Sequence, residues 1–557
     1  IYFYRSQGLN FLMNFFNHSC LPRVLSGVLM LALGVSFMPP DALAARKKRA
    51  NKVRISSVKI FRDTVNRAIK RECRITGELG VHIRSISAGE TLFSHRAEEK
   101  RVPASNMKLM TTAAALAYLG PDYTFSTDVY TTGTIRKGVL KGDLFLKGYG
   151  DPTFVQERVR ELAYSLYLKG VRQVLGDLIA DDSFFDGQRY GKDWKVNGSG
   201  KAYLAPYSAL SVNFSLVNVQ VDPGSGPGAL ARVQLIPPSD TIGLKNSLKT
   251  VSRRKRPRVR VSRRTAGGKD WIHVSGRTPA RKRTRRYTIS VSDPTRFAAG
   301  TFSALLKKEG IRFRGRILKG KTPPDAKLIA RQNSRVLGEI IRGLNKHSNN
   351  LTAELILKTL GAEIYGLPGT TEKGLVAVKK YLLHLGIPQD AFDFSDGSGL
   401  SRKNRITPRA IVTLLSSVYH DFRILPEYLA SLAVVGVDGT IRKRLRRSRA
   451  SRRIRAKTGL LAGIHALSGF AAADNGETLA FSILSNQNGC RPKRLMNRIS
   501  LAMTQLNRPV PKSFHHKHNP PRQMLLRPMP NPLKRDRWRR SGRARSETQG
   551  AMGGAKR

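Results

Sequence analysis

Apolar residues are distributed along the chain in two textures. Residues 61–73 recur at helical spacing, whereas 80–86 alternate as a strand does. From Ser105 the run to Leu119 is rich in Met, Leu and Ala and stops at Gly120-Pro121, which predicts a helix opened by the serine. Short alternating runs then take over from Tyr123 to about Thr322, at 139–147, 212–221 and 231–236. They predict small β-rich domains with one helix near 157–168. Helical spacing returns from about Leu337, through 351–364, 372–385 and 407–419. Two strands, 464–472 and 478–484, flank Asp474-Asn475-Gly476, a hairpin signal, and a helix over about 492–506 ends the pattern. The pattern therefore divides the chain at 45–122, 123–325 and 326–507, with segments 1–44 and 508–557 outside it.

Charge changes this picture. The 557 residues include 99 Lys+Arg against 38 Asp+Glu, a formal +61. Such a chain favours polyanions: nucleic acid, anionic membrane or acidic wall polymer. The N-terminal segment narrows the choice. Behind Arg23 an apolar run from Val24 to Met38 leads to Pro39-Pro40 and Ala42-Leu43-Ala44, with Met13 as the expected start. This reads as a secretory signal cleaved after Ala44, shorter than the roughly 20 residues that span a bilayer. Export argues against a nucleic-acid partner and places the protein in the periplasm or cell envelope. Arg256, Arg258 and Arg260 alternate around apolar residues, setting arginines on one strand face: a solvated ribbon, or a docking surface for wall polymer or lipid headgroups. Beyond Arg508 the chain is Pro-, Arg- and His-rich and reads as a disordered tail, and residues 508–557 together supply +12 of the charge. Cys20 lies in the signal, and Cys73 and Cys490 have no C-x-x-C or Cys/His spacing. His515, His516 and His518 read as solvated, so the sequence calls for no metal and no other cofactor.

Three short motifs carry chemistry. In Ser105-Asn106-Met107-Lys108 the lysine lies one helical turn beyond the serine, on the same face. A partly desolvated lysine can take the proton that makes a serine hydroxyl nucleophilic. Ser348-Asn349-Asn350 offers a hydroxyl to relay protons and, in Asn350, an amide to hold a peptide carbonyl. Lys457-Thr458-Gly459, expected just before a strand-rich stretch, supplies a cation and a hydroxyl for a carboxylate, and a glycine for close approach. Singly each motif is weak: S-x-x-K recurs at Ser56 to Lys59, and S-x-N at Ser211 to Asn213. In this order they match the trio of serine β-lactamases and penicillin-binding proteins.

With those residues the chain, from about 60 to 507, resembles the D-alanyl-D-alanine carboxypeptidase/endopeptidase family of class C low-molecular-mass penicillin-binding proteins (peptidase family S13). The likeness extends to Pro103-Ala104, Gly150-Asp151-Pro152, the 396–402 block Asp-Gly-Ser-Gly-Leu-Ser-Arg, the 436–440 block Gly-Val-Asp-Gly-Thr, and Ala466 to Phe470. It implies an α/β (α+β) transpeptidase-like domain built from both chain ends, with nested β-rich insertions between. The resemblance also implies roles. Ser105 attacks the penultimate D-Ala carbonyl of a wall peptide, with Lys108 as base. Ser348 and Lys457 pass the proton to the leaving amine, and Asn350 holds the peptide. The N–H groups of Ser105 and Leu460 form the oxyanion hole, Thr458 and Gly459 line the substrate strand, and β-lactams act as inhibitors. Relatives usually carry Thr or Ser where Leu460 stands, which removes one hydroxyl for the substrate carboxylate and leans towards endopeptidase action. Tyr149 replaces a common glycine, and Asp181 and Asp182 are candidates for meeting a cationic substrate amine. In that fold the first and last helices share one face of the sheet, which would let Cys73 and Cys490 pair. Two rivals stand beside this reading: a β-lactamase of the same fold, lacking here a class A E-x-x-L-N block, and a non-catalytic polyanion-binding wall protein.

Overall fold

The alternating segments near both chain ends meet in one six-stranded sheet. Its order is Thr91–His95, Leu79–Ser85, Thr478–Ser485, Ile464–Ala472, Ile454–Leu461 and Ala433–Val434, antiparallel throughout. The computed structural model describes residues 55–510, apart from 197, 199, 281, 282, 487 and 488. The expected signal segment at 1–44 lies outside these, as does the tail beyond 510.

Period-two alternation decides which residues face which layer. On the two central strands Leu467, Leu479, Phe481 and Ile483 point to one side. There they pack on Phe61 and Val65 of helix Val58–Glu72 and on Leu495 and Ile499 of helix Pro492–Thr504. Ala466, Phe470, Ala480 and Leu484 point to the other side. They meet Ile411 and Leu415 of helix Pro408–His420 and the core that includes Met110 and Ala113 of helix Met107–Leu119.

Because the two outer helices lie together, Cys73 at the end of one reaches Cys490 just before the other, and they form a disulfide. It ties positions 417 residues apart. Closing so long a loop restricts the unfolded chain, typically by about 2–5 kcal/mol. Reduction, or the Cys73→Ser/Cys490→Ser pair, is therefore expected to lower the melting temperature by roughly 2–6 °C. Differential scanning calorimetry with and without reductant checks this, and equal melting would refute it.

The region between holds two helices among its strands. A five-stranded sheet runs Ile317–Lys319, Leu178–Asp181, Leu144–Gly148, Ser126–Thr131, Lys327–Asn333. Helices Gln156–Leu168 and Pro294–Lys308 bury Leu162, Leu166, Phe297 and Phe302 in its core. The second of these helices departs from the single one expected. Asp293 caps it by accepting the Thr295 and Arg296 N–H groups at 3.1 Å each, and Pro294 stands in its first turn, a start signal that the surrounding strand pattern masks. Lys327–Asn333 pairs with Ser126–Thr131 and so closes one edge of this sheet. Nested inside the inserted region are strands from Leu216–Asp222 to Arg285–Ser290. Arg508 also departs from expectation. It is not the start of a disordered tail, because its buried guanidinium donates to Glu477 at 2.6 Å and pairs with Glu90.

Candidate active site

The chain enters helix Met107–Leu119 through a tight 3₁₀ turn, Ala104–Asn106. Ser105 thus sits in the turn before the helix rather than as its first residue. Ala104 is fully buried with φ of +46°, a left-handed conformation that costs a non-glycine residue energy and has to be imposed by its surroundings. Two glycines let those surroundings close in. A Cβ on Gly459 would lie 2.6 Å from the Pro103 carbonyl oxygen, and one on Gly399 would overlap the Ala104 carbonyl. Asn106 fastens the turn to the sheet, its Nδ2 donating to Ser468 Oγ at 2.7 Å.

One helical turn on, Lys108 is wholly buried. Its Nζ meets Ser105 Oγ at 3.0 Å, Asn350 Oδ1 at 2.7 Å and the Ser398 carbonyl at 2.5 Å. Burial lowers its pKa to about 7, against the opposing pull of the Asp396 and Glu354 carboxylates. The partner set is chemically asymmetric. Asn350 Oδ1 and the Ser398 carbonyl can only accept, so a neutral amine spends its two N–H groups on them. Its lone pair is then left for Ser105, the one partner with a proton to give.

The other motifs arrive by different routes. Helix Leu337–His347 ends at Ser348, whose φ is +60°, and Asn349 caps helix Asn350–Tyr365 by accepting the Thr352 N–H. Two helix ends therefore turn about Asn349, presenting Asn350 to Lys108 and Ser348 to Lys457. Lys457 lies inside strand Ile454–Leu461, not ahead of it as expected, because Ile454, Ala456, Thr458 and Leu461 pair in register with Ile464–Ala472. Its Nζ donates to Ser348 Oγ at 2.8 Å. Burial and then repulsion from Lys108 hold its pKa well below that of a free lysine. Ser105, Lys108 and Asn350 thus form one hydrogen-bonded group and Ser348 and Lys457 a second, with Thr458 and Gly459 next along the Lys457 strand. Leu460 projects its side chain into solvent at 66% exposure.

Several neighbours were not legible as site residues. Asp396 and Glu354 are buried beneath Lys108. Asp396 accepts N–H groups from Gly399 and Ser401 at 2.6 Å each, and Glu354 accepts that of Ser398 at 2.8 Å. Together they shape the turn that offers the Ser398 carbonyl to Lys108. Burial, then the Asp396 charge, raises the Glu354 pKa. The 396–402 block was the available signal, without a role attached to it. Thr440 Oγ1 lies 2.8 Å from Thr458 Oγ1, and the Tyr203 carbonyl accepts from Asn350 Nδ2 at 3.0 Å, bringing the inserted region to the site's edge. Asp181 and Asp182 point elsewhere. Asp181 is buried, accepting N–H groups from Ser183 and Thr322, and Asp182 pairs with Arg189 and Thr295. Both knit the inserted region together, which removes them as candidates for a substrate amine. Tyr149 stacks edge-on to Phe184 and bonds to the Tyr130 hydroxyl, a packing role.

A mixed α/β domain with a buried lysine facing a serine in a strained turn belongs to the class of serine-type hydrolases. Residues 62–506 match the D-Ala-D-Ala carboxypeptidase 3 (S13) family, and the chain belongs to that family. It is 35% identical over 442 residues to the D-alanyl-D-alanine carboxypeptidase of Actinomadura sp. (strain R39), covering 76% of this chain and 81% of that one. It is 25% identical over 405 residues to D-alanyl-D-alanine carboxypeptidase DacB of Haemophilus influenzae, covering 72% and 84%. The crystal structure of penicillin binding protein 4 from H. influenzae shares the fold, with a TM-score of 0.67 and 24% identity over 78% of this chain and 97% of that one.

Proposed function

We propose that this hydrolase cleaves peptide bonds next to D-alanine in cell-wall peptides through an acyl-enzyme on Ser105. The observation that carries this is the Lys108 partner set, which directs the amine lone pair at the serine hydroxyl. Lys108 takes the Ser105 proton as Oγ bonds to the carbonyl carbon. The tetrahedral oxyanion is held by the Ser105 and Leu460 N–H groups, and a proton reaches the leaving amine along Lys457 and Ser348. Water then attacks the ester and frees the serine. β-Lactams acylate the same oxygen, and the H. influenzae structure solved with a β-lactam supports this reading. The enzyme is exported and acts in the cell envelope.

Leu460 bears on which bond is cut. Thr458 and Thr440 supply hydroxyls at the rim, but the next strand position gives none. A substrate ending in a free carboxylate is therefore held less firmly than a cross-link, whose scissile bond carries a longer chain. The full-length protein is expected to convert cross-linked muropeptide dimers to monomers and to release terminal D-Ala from stem pentapeptides more slowly, as followed by chromatography. Leu460→Thr should raise kcat/KM for D-Ala release about three- to tenfold, the yield of one ordinary added hydrogen bond at a solvent-exposed position. Cleavage of neither substrate by folded protein would sink the peptidase reading. Rapid turnover of penicillin without a lasting adduct would replace it with the β-lactamase one.

A further inference from the structure

Far along the inserted region, a small sheet carries an unusual charge. Between residues 242 and 279 the sequence has 12 Lys+Arg and a single acid, Asp270. Strand Lys269–Pro279 lies at its centre, with Arg258–Ala266 antiparallel on one side and Ile242–Asn246 and Lys249–Val251 parallel on the other. The register sorts the side chains. Ile272 and Val274 turn inward to the core with Val259 and Val261 against them. The opposite face carries Arg258 beside Arg277, Arg260 beside Ser275, Arg264 beside Trp271, and Lys245 beside His273.

Three features of that outer face point to a ligand. First, Asp270 faces inward, where it bonds Thr265 and Ser292, and among the described residues none of Lys245, Lys249, Arg258, Arg260, Arg264, Lys269 and Arg277 has an ion-pair partner. Like charges directly opposite each other, as at Arg258 and Arg277, weaken a sheet unless something neutralises them. Second, Arg258, Arg260 and Arg264 stand in line over about 20 Å of one strand. Third, the Trp271 indole lies down over Gly243, where a Cβ would run into the ring. Lys245 and Lys269 each stand 5.2 Å from its centroid. A glycine that beds an aromatic ring flat on a sheet, flanked by cations, makes a stacking platform beside anion sites.

We propose that this face docks a linear anionic glycopolymer, the arginines taking successive phosphate or carboxylate groups while Trp271 stacks on a sugar ring. The alignment along one strand fits an extended chain. Among the described residues, Leu230 beside Lys249 is the only large aliphatic exposed there, which leaves little to enter a bilayer. This inference stands apart from the chemistry at Ser105.

The test uses the full chain, a sugar-bearing teichoic acid as glycopolymer and linear polyphosphate as a ringless polyanion, with Kd measured at about 150 mM salt, where distant charges are screened. Arg258→Glu/Arg260→Glu/Arg264→Glu is compared with Lys308→Glu/Arg312→Glu/Arg314→Glu, an equal charge change at other exposed positions of the inserted region. The first triple should weaken teichoic acid binding at least tenfold and the second less than threefold. Trp271→Ala should weaken teichoic acid about five- to tenfold and leave polyphosphate unchanged. Thermal melting confirms that each variant is folded. Equal effects from the two triples, or an equal effect of Trp271→Ala on both polymers, would overturn the proposal. So would tighter binding of phosphatidylglycerol vesicles or duplex DNA than of teichoic acid on this same face.

Discussion

Ser105→Ala is expected to abolish covalent labelling by penicillin and to reduce wall-peptide hydrolysis by at least about 10⁴-fold, the scale seen when a nucleophile is removed from an interdependent catalytic set. The loss should fall on kcat, with substrate still bound. The substitution removes one oxygen from a half-buried position and leaves the Asn106–Ser468 anchor and the Gly399 and Gly459 contacts in place. The fold should therefore melt within about a degree of the parent, since alanine accepts the same backbone conformation and only a partly buried hydroxyl is lost. Intact-protein mass after incubation with a penicillin reads the adduct directly. A persistent adduct on the alanine variant would move the nucleophile elsewhere and dismantle the mechanism.

The second large effect concerns Lys108 and pH. An amine is a base only when deprotonated, and burial brings the Lys108 pKa down to about 7. Acylation should therefore rise with pH through about 7 and level off above it, where Lys108 is mostly neutral. An exposed lysine would place that limb some three pH units higher. Lys108→Ala should cost about 10²–10⁴-fold in acylation rate, the range for removing a general base. Lys108→Arg should be no better, because a guanidinium never loses its proton and cannot supply the lone pair. Asp396→Asn should move the limb to lower pH, since the Asp396 charge is the larger of the two carboxylate effects that raise the Lys108 pKa. Stopped-flow acylation by a chromogenic cephalosporin from pH 5.5 to 9.5 reads all three variants. A flat profile, or a midpoint near 10, would exclude Lys108 as the base.

How much of this was legible in the sequence depends on what kind of interaction does the work. Lys108 was readable because a helix repeats its faces every three to four residues, and Ser348 and Asn350 because a turn between two helical patterns is a local event. The order of the motifs and the long gap between Ser105 and Ser348 carried the insertion. The Ser398 carbonyl, Glu354 and Asp396 were not readable as site groups. Their contributions rest on backbone atoms and on burial, which no residue identity announces. Lys457 was set outside its strand because the alternation of Ile454, Arg455, Ala456 and Lys457 breaks at Thr458-Gly459, a polar residue followed by a glycine that reads as a strand boundary. Asp181 and Asp182 invited a binding role as two adjacent acids, but their partners, Thr322, Arg189 and Thr295, lie up to 141 residues away and are visible only once folded.

The central sheet has a consequence for how the protein is made. Its strand Leu79–Ser85 hydrogen-bonds to Thr478–Ser485, close to 400 residues later. A chain emerging N-terminus first exposes the nucleophile turn early but has nothing to brace it, since Gly459 and Ser468 arrive near the end. The inserted region, with its own core, can close before then. Assembly is thus expected to run from the middle outwards, with the two ends docking last. That is a slow step for so non-local a pairing, and one that leaves the strand edges of the catalytic sheet exposed meanwhile. A chain that stops short of residue 478 would carry a complete Ser105–Lys108 motif but lack the strand that joins the N-terminal strand pair to the rest of the catalytic sheet.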